Sequence, residues 1–162
     1  MFASSALHYA KIILAEARRQ NLRLAVAESC TGGLIAACFT QIPGSSDVFD
    51  RGFVVYSDQS KTDLLNVPAA LIKTYGAVSE EVARAMVQGV LDRTPVTLAI
   101  AITGIAGPAG GSALKPVGLV HIAAARAGQA IRCEECRFGK INRVAVRMKG
   151  VDAALRLLHT LL

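Results

Sequence analysis

Three clusters of polar residues stand at the ends of apolar runs: Glu28-Ser29-Cys30-Thr31-Gly32-Gly33, Tyr56-Ser57-Asp58-Gln59-Ser60-Lys61 and Thr103-Gly104-Ile105-Ala106-Gly107-Pro108. In open α/β sheets, ligands collect at the carboxyl ends of the strands. The coincidence of three such clusters therefore marks a candidate site without reliance on any one motif. A serine hydroxyl becomes a nucleophile only when a base takes its proton. A lysine removed from water can serve as that base, because burial disfavours its charged form. Lys61 stands beside Leu64, Leu65 and Val67, and Ser29 follows the neighbouring apolar run, so a Ser29–Lys61 dyad is geometrically available. Backbone N–H groups at Cys30, Thr31, Gly32 and Gly33 can hold an oxyanion or a phosphate at a helix start. Gly104, Gly107, Gly110 and Gly111 let the third loop approach a ligand closely. On residue type alone, plainer readings stand beside these. Ser29 reads as a helix cap, Lys61 as a surface lysine, and the glycine-rich loop as a flexible turn.

Other chemistries find less support. The patterns GxxxxGK[ST], GxGxxG and GxSxG are absent. Ser112-Ala113-Leu114-Lys115 matches SxxK, but the serine lies among glycines rather than at a helix start, and Pro116 follows. His8, His121 and His159 adjoin none of the three polar clusters, so a histidine-based triad has no sequence support. Cys133 and Cys136 form a CxxC on a stretch that reads as a strand, which points them to opposite faces as ordinary reduced thiols. Cys30 and Cys38 lack the spacing that would complete a zinc site, so no metal and no cofactor is expected.

Composition narrows the class. The 162 residues are 52% apolar and 19% charged, enough for one domain with a large core over residues 1–162. Aromatics are 5% and Trp is absent, which argues against a base-stacking nucleic-acid module. The net charge of +6 favours anionic partners. The dense basic cluster, Arg137–Lys149, reads as a solvated helix face or as the source of a phosphate contact. Apolar residues of the amino-terminal stretch recur at helical spacing with no basic region before them, and no uncharged run reaches membrane length. The expectation is a soluble cytoplasmic protein with no membrane or nucleic-acid partner. The apolar surplus is compatible with a buried subunit interface.

The elements that must position these residues alternate. Helices are expected over residues 4–20, 31–40, 57–65, 68–75, from Ser79 onward, and 142–162. Strands are expected at 22–27, 52–56 and 95–102, and a hairpin of 117–125 with 129–138 turns at Ala127-Gly128. Alternation implies parallel pairing early and antiparallel pairing late, hence a mixed sheet with helices on both faces.

AESCTGG, GSSDVFDRGFVVYSDQSK followed by LLNV, GAVSEEVA and TGIAGPAGGSALKPVG, in that order, resemble the carboxy-terminal domain of the competence/damage-inducible CinA proteins. That family includes stand-alone nicotinamide-nucleotide amidohydrolases of the PncC type. The resemblance covers nearly the whole chain, most tightly residues 25–118. It implies a three-layer α/β/α sandwich with a mixed, mostly parallel sheet. It also implies hydrolysis of nicotinamide mononucleotide to nicotinate mononucleotide and ammonia, and an assembly of two or more copies. Carried over residue by residue, Ser29 is the nucleophile, Lys61 its base, and Tyr56 a proton relay or substrate contact. Ser46 and Thr103 match positions that line the family pocket, and Arg143 is the candidate for a substrate-phosphate or loop-ordering contact, beside Cys30, Thr31, Gly32, Gly33, Gly104 and Gly107 read above from residue type. The segment Ile141-Asn142-Arg143 keeps the family's arginine but departs from its usual glycine and aspartate. That departure keeps open an alternative, a non-catalytic nucleotide-binding or regulatory module. The longer members' amino-terminal pyrophosphatase domain has no counterpart in these motifs.

Overall fold

The computed structural model describes residues 2–162. In chain order the elements are α1 (Ser4–Arg19), β1 (Leu24–Glu28), α2 (Leu34–Thr40), a short 3-10 turn (Ser45–Asp47), β2 (Phe49–Val54), α3 (Asp58–Leu65), α4 (Ala69–Tyr75), α5 (Glu80–Arg93), β3 (Leu98–Gly104), β4 (Leu119–Arg126), β5 (Arg132–Arg137) and α6 (Arg143–His159). The sheet order is β2-β1-β3-β4-β5. β1 pairs in parallel with β2 and β3, whereas β4 pairs antiparallel with both β3 and β5. Thus β4 alone runs against the other strands. Helices α1, α2 and α6 cover one face and α3, α4 and α5 the other, which is the three-layer arrangement the sequence implies.

The two faces differ in kind. Leu24, Val26, Leu98, Ile100, Ile102, Val120 and Ile122 pack against α1, α2 and α6. On the opposite face, Ala25, Ala99 and Ala125 form one row across β1, β3 and β4, and Ala27, Ala101 and Ala123 form the next. Strand residues alternate sides, so a run such as LAIAI buries large groups one way and methyl groups the other. The alanine face receives α5 through Val82, Ala83, Met86, Val87 and Val90. Gly89 of the same helix meets the end of α3 so closely that a Cβ there would lie 2.0 Å from the Leu65 carbonyl oxygen.

Several boundaries differ from the periodicity reading. α2 begins at Leu34 rather than Thr31, because Gly32 (φ 60°) and Gly33 (φ 97°) adopt left-handed conformations that end one turn before the helix begins. β2 starts at Phe49, before the expected Gly52, since its ladder with β1 already forms at Leu24. β3 extends to Gly104, past the expected Ile102, because it pairs with β4 along its full length. Cys133 and Cys136 do lie on opposite sides of β5, each with the apolar cluster of its own face, and all four cysteines are free.

Candidate active site

The alanine rows end in a polar one. Ser29 follows β1 in the Ala25–Ala27 alternation and donates its N–H to Ile102 O at 3.0 Å. Thr103 lies opposite His121, and His121 opposite Glu135. Ser29, Thr103 and His121 are all buried. The reactive groups thus occupy the last row of the sheet beneath the α3–α5 layer.

Lys61 enters this row from the first turns of α3. Ser57 caps the helix by accepting the Ser60 N–H at 3.1 Å, which fixes where the next turn points. Lys61 is 1% exposed, and its Nζ lies 3.2 Å from Ser29 Oγ. Carbonyl oxygens of Val55 (3.0 Å), Tyr56 (3.4 Å) and Ser57 (3.4 Å) surround the same nitrogen. Burial pushes the Lys61 amine below the ordinary value of 10.5, opposed by the Asp58 carboxylate and by any charge on Cys30. Asp58 stands 4.0 Å away with a largely solvated side chain, so its pull is screened. Burial also drives the Cys30 thiol up to about 12, so it stays protonated and uncharged at neutral pH. A neutral Lys61 has two N–H groups for the carbonyls and one lone pair for the Ser29 hydroxyl proton.

The loop after Ser29 is held from both sides. Glu28, fully buried, accepts the N–H groups of Gly33 (3.1 Å), Ile35 (3.0 Å) and Ala36 (2.9 Å), so it caps α2. The cap is therefore Glu28, which leaves Ser29 free for chemistry. From α6, Arg147 donates to the carbonyls of Cys30 (3.1 Å) and Thr31 (2.7 Å). The Gly32 N–H is taken by Ser29 O at 3.1 Å and Gly33 by Glu28. Of the expected oxyanion donors, Cys30 and Thr31 N–H remain without an acceptor among the described residues.

The rim is made by Tyr56 and Arg143. Tyr56 is 59% exposed, and its hydroxyl accepts a hydrogen bond from Arg143 Nη2 at 2.7 Å. Arg143 Nη1 donates to Gly107 O at 2.9 Å, tying the glycine-rich loop to the same arginine. Arg143 opens α6, where a cation opposes the helix dipole. Asn142 accepts the Ala145 N–H at 2.9 Å, so it caps α6.

Together Ser29, Cys30, Tyr56, Asp58, Lys61, Ala77, Val78, Thr103, Gly104, Ala106 and Arg143 line a cleft of about 220 Å³. Thr31, Gly32 and Gly33 do not line it. Thr31 is buried near α6, its methyl 3.7 Å from where a Cβ on Gly150 would stand, and its Oγ1 has no partner among the described residues. Gly107 contributes its carbonyl to Arg143 rather than a surface to the cleft. Ser46 sits in the turn before β2, at the opposite end of the sheet, because β2 must run its whole length before reaching Tyr56. Ala77 and Val78 line the cleft without having been marked in the sequence, while Asp58 of the second polar cluster joins them there and Arg147 of the basic cluster holds the loop after Ser29.

The model of the CinA C-terminal domain family matches residues 7–162. The chain belongs to the CinA C-terminal domain family. A CinA-like protein of Syntrophobacter fumaroxidans is 47% identical over 152 residues, 94% of this chain and 35% of that protein. Another, from Akkermansia muciniphila, is 49% identical over 124 residues, 76% of this chain and 30% of that protein. The chain thus spans roughly a third of the length of the curated CinA relatives it matches. The crystal structure of a competence/damage inducible protein from Agrobacterium tumefaciens superposes with a TM-score of 0.97 at 44% identity, covering 99% of this chain and 98% of that one. A CinA superfamily protein from Escherichia coli gives 0.92 at 32%, covering 100% and 94%. No helix among the described residues is long and apolar enough to cross a membrane.

Proposed function

We propose that this CinA domain hydrolyses the carboxamide of nicotinamide mononucleotide through Ser29 and Lys61. The observation that carries the proposal is a lysine amine with almost no solvent contact at 3.2 Å from a serine hydroxyl. A buried lysine whose nearest carboxylate, Asp58, stands 4.0 Å away and largely in solvent is costly for stability alone, and its position suits a base. Lys61 takes the Ser29 proton as Oγ forms a bond to the amide carbon. Cys30 N–H, beside Ser29 at the cleft, is the candidate donor to the developing oxyanion, a well-placed donor contributing about 3 kcal/mol. The C–N bond then breaks as the proton passes from Lys61 to the leaving nitrogen, releasing ammonia. Tyr56 is the candidate relay for that proton. Water, deprotonated by Lys61, cleaves the acyl ester and restores the Ser29 hydroxyl. The remaining guanidinium donors of Arg143 and the start of α6 suit an anionic group such as the substrate phosphate.

The test is product analysis after incubation with nicotinamide mononucleotide, with Ser29→Ala and Lys61→Arg beside the wild type. Nicotinate mononucleotide and ammonia should appear in equal amounts with the wild type only. The guanidinium that Lys61→Arg introduces would stay protonated and could not act as base. Binding of the nucleotide without turnover by the wild type would instead identify a non-catalytic module.

A further inference from the structure

The turn between α4 and α5 carries Ala77 and Val78, which form the wall of the cleft facing the sheet's polar row. Its four successive carbonyls are all held by side chains. Lys115 Nζ donates to Tyr75 O and, at 2.6 Å, to Val78 O. Ser79 Oγ donates to Gly76 O at 2.9 Å, and Thr103 Oγ1 to Ala77 O at 2.8 Å. The N–H groups of Ala77 and Val78 find no acceptor among the described residues. Lys115 comes from the glycine-rich loop, where Ser112 and Lys115 close a tight turn through Ser112 N–H to Lys115 O (2.8 Å) and Lys115 N–H to Ser112 Oγ (3.0 Å). Gly76 makes room for the ammonium: a Cβ there would lie 3.1 Å from Nζ, on a backbone already at φ 76°. Pro116 follows, so the chain leaves this anchor in a fixed direction.

We propose that Lys115 is a positioning residue that fixes the Ala77–Val78 wall relative to Ser29 and Lys61. The assignment rests on the amide-hydrolase reading of the cleft. Lys115 and Arg143 brace the same glycine-rich loop from two sides: Arg143 through Gly107 O to Tyr56 at the rim, Lys115 to the wall. Ser79 and Thr103 hold the Gly76 and Ala77 carbonyls, so loss of Lys115 releases the Tyr75 and Val78 carbonyls that flank them. The wall shapes the slot for the carboxamide-bearing ring, and reaction rates fall steeply with small displacements of a bound substrate. Lys115 does not touch Lys61, so its loss leaves the acid limb of the rate profile in place.

The experiment compares wild type, Lys115→Met and Lys115→Arg. Lys115→Met keeps the length and loses the donors; Lys115→Arg keeps a fork able to reach both carbonyls. Hydrogen exchange of the Gly76 amide, which donates to Ile72 O at 2.8 Å, should accelerate by about tenfold or more in Lys115→Met. Its kcat/KM for nicotinamide mononucleotide should fall by about tenfold or more, mainly through KM, with the acid-limb midpoint unmoved. Lys115→Arg should restore most of both. Unchanged exchange overturns the brace, and accelerated exchange with unaltered kinetics overturns the positioning role. A shifted acid limb also overturns it, because Lys115 would then act through Lys61. Lys115→Gln, whose shorter side chain does not span both carbonyls, replaces Lys115→Met if that variant fails to fold. Should the wild type hydrolyse no carboxamide, the exchange measurement still decides the brace.

Discussion

Gly89→Ala is the substitution that most directly tests how the helix layer sets the catalytic distance. On intrinsic propensity alone, alanine inside a helix is favoured over glycine by about 1 kcal/mol. The structure reverses that expectation. The new methyl would meet the Leu65 carbonyl oxygen at 2.0 Å, with the Leu65 carbonyl carbon and Cβ each at 2.9 Å. A carbon–oxygen contact needs about 3.3 Å, so α3 and α5 must separate by roughly 1.3 Å. The obstacle is backbone, so no rotamer change relieves it. Overpacking of this kind costs about 1–3 kcal/mol. Leu65 lies one turn from Lys61 on α3, and the Lys61–Ser29 distance is 3.2 Å. A displacement of ~1 Å passed along α3 lowers the rate by about 100-fold. Thermal unfolding and coupled ammonia release measure the two effects in one preparation. A melting temperature at or above that of the wild type with full turnover would refute both the contact and its transmission to Lys61.

Three other expectations concern the same site. Turnover should rise with pH as Lys61 loses its proton, with a midpoint below the ordinary 10.5; the unfolded chain binds the proton more tightly there, so stability also rises with pH between the two values, and Lys61→Met should flatten that rise in chemical-denaturation curves. Glu28→Gln should destabilise by about 2–4 kcal/mol in urea titrations, because one amide face would oppose the N–H groups that the carboxylate now accepts. Thr31→Val should leave turnover near wild type and hold or raise the melting temperature, since the Thr31 hydroxyl is buried without a partner; loss of turnover would restore Thr31 to the substrate contacts.

The α/β alternation and the strand-end clusters were legible because amphipathic spacing and polar termini are local properties. The Ser29–Lys61 pair was legible for the same reason, Ser29 closing one apolar run and Lys61 lying on the short helix that follows the parallel neighbour. What escaped was whatever depends on an approach from elsewhere in the chain. Arg147 reaches the loop after Ser29 from 116 positions away, and its place in the basic cluster Arg137–Lys149 does not say that it binds backbone carbonyls there. Ala77 and Val78 became a wall only through the hydrogen bonds of Thr103 and Lys115. Glu28 carried a local signal, an acid just before a Gly-Gly turn and a helix, yet the hydroxyls beside it were the more obvious caps. Ser46 was placed in the pocket by resemblance to a family motif, whereas in this chain a whole strand separates its turn from the cleft. Lys115 was weighed only as half of an SxxK pattern, although its reach to the neighbouring turn is what the structure displays.

The unequal faces of the sheet set an asymmetry in what mutation can explore. Between the sheet and α1, α2 and α6, bulky aliphatic groups can be exchanged for one another with modest cost. Beneath α5 the alanine rows offer no atom to trade, and any enlargement pushes a helix outward. Ser29 and Lys61 lie at the end of that inflexible side, so variation compatible with the proposed chemistry is expected to accumulate on the far side of the sheet.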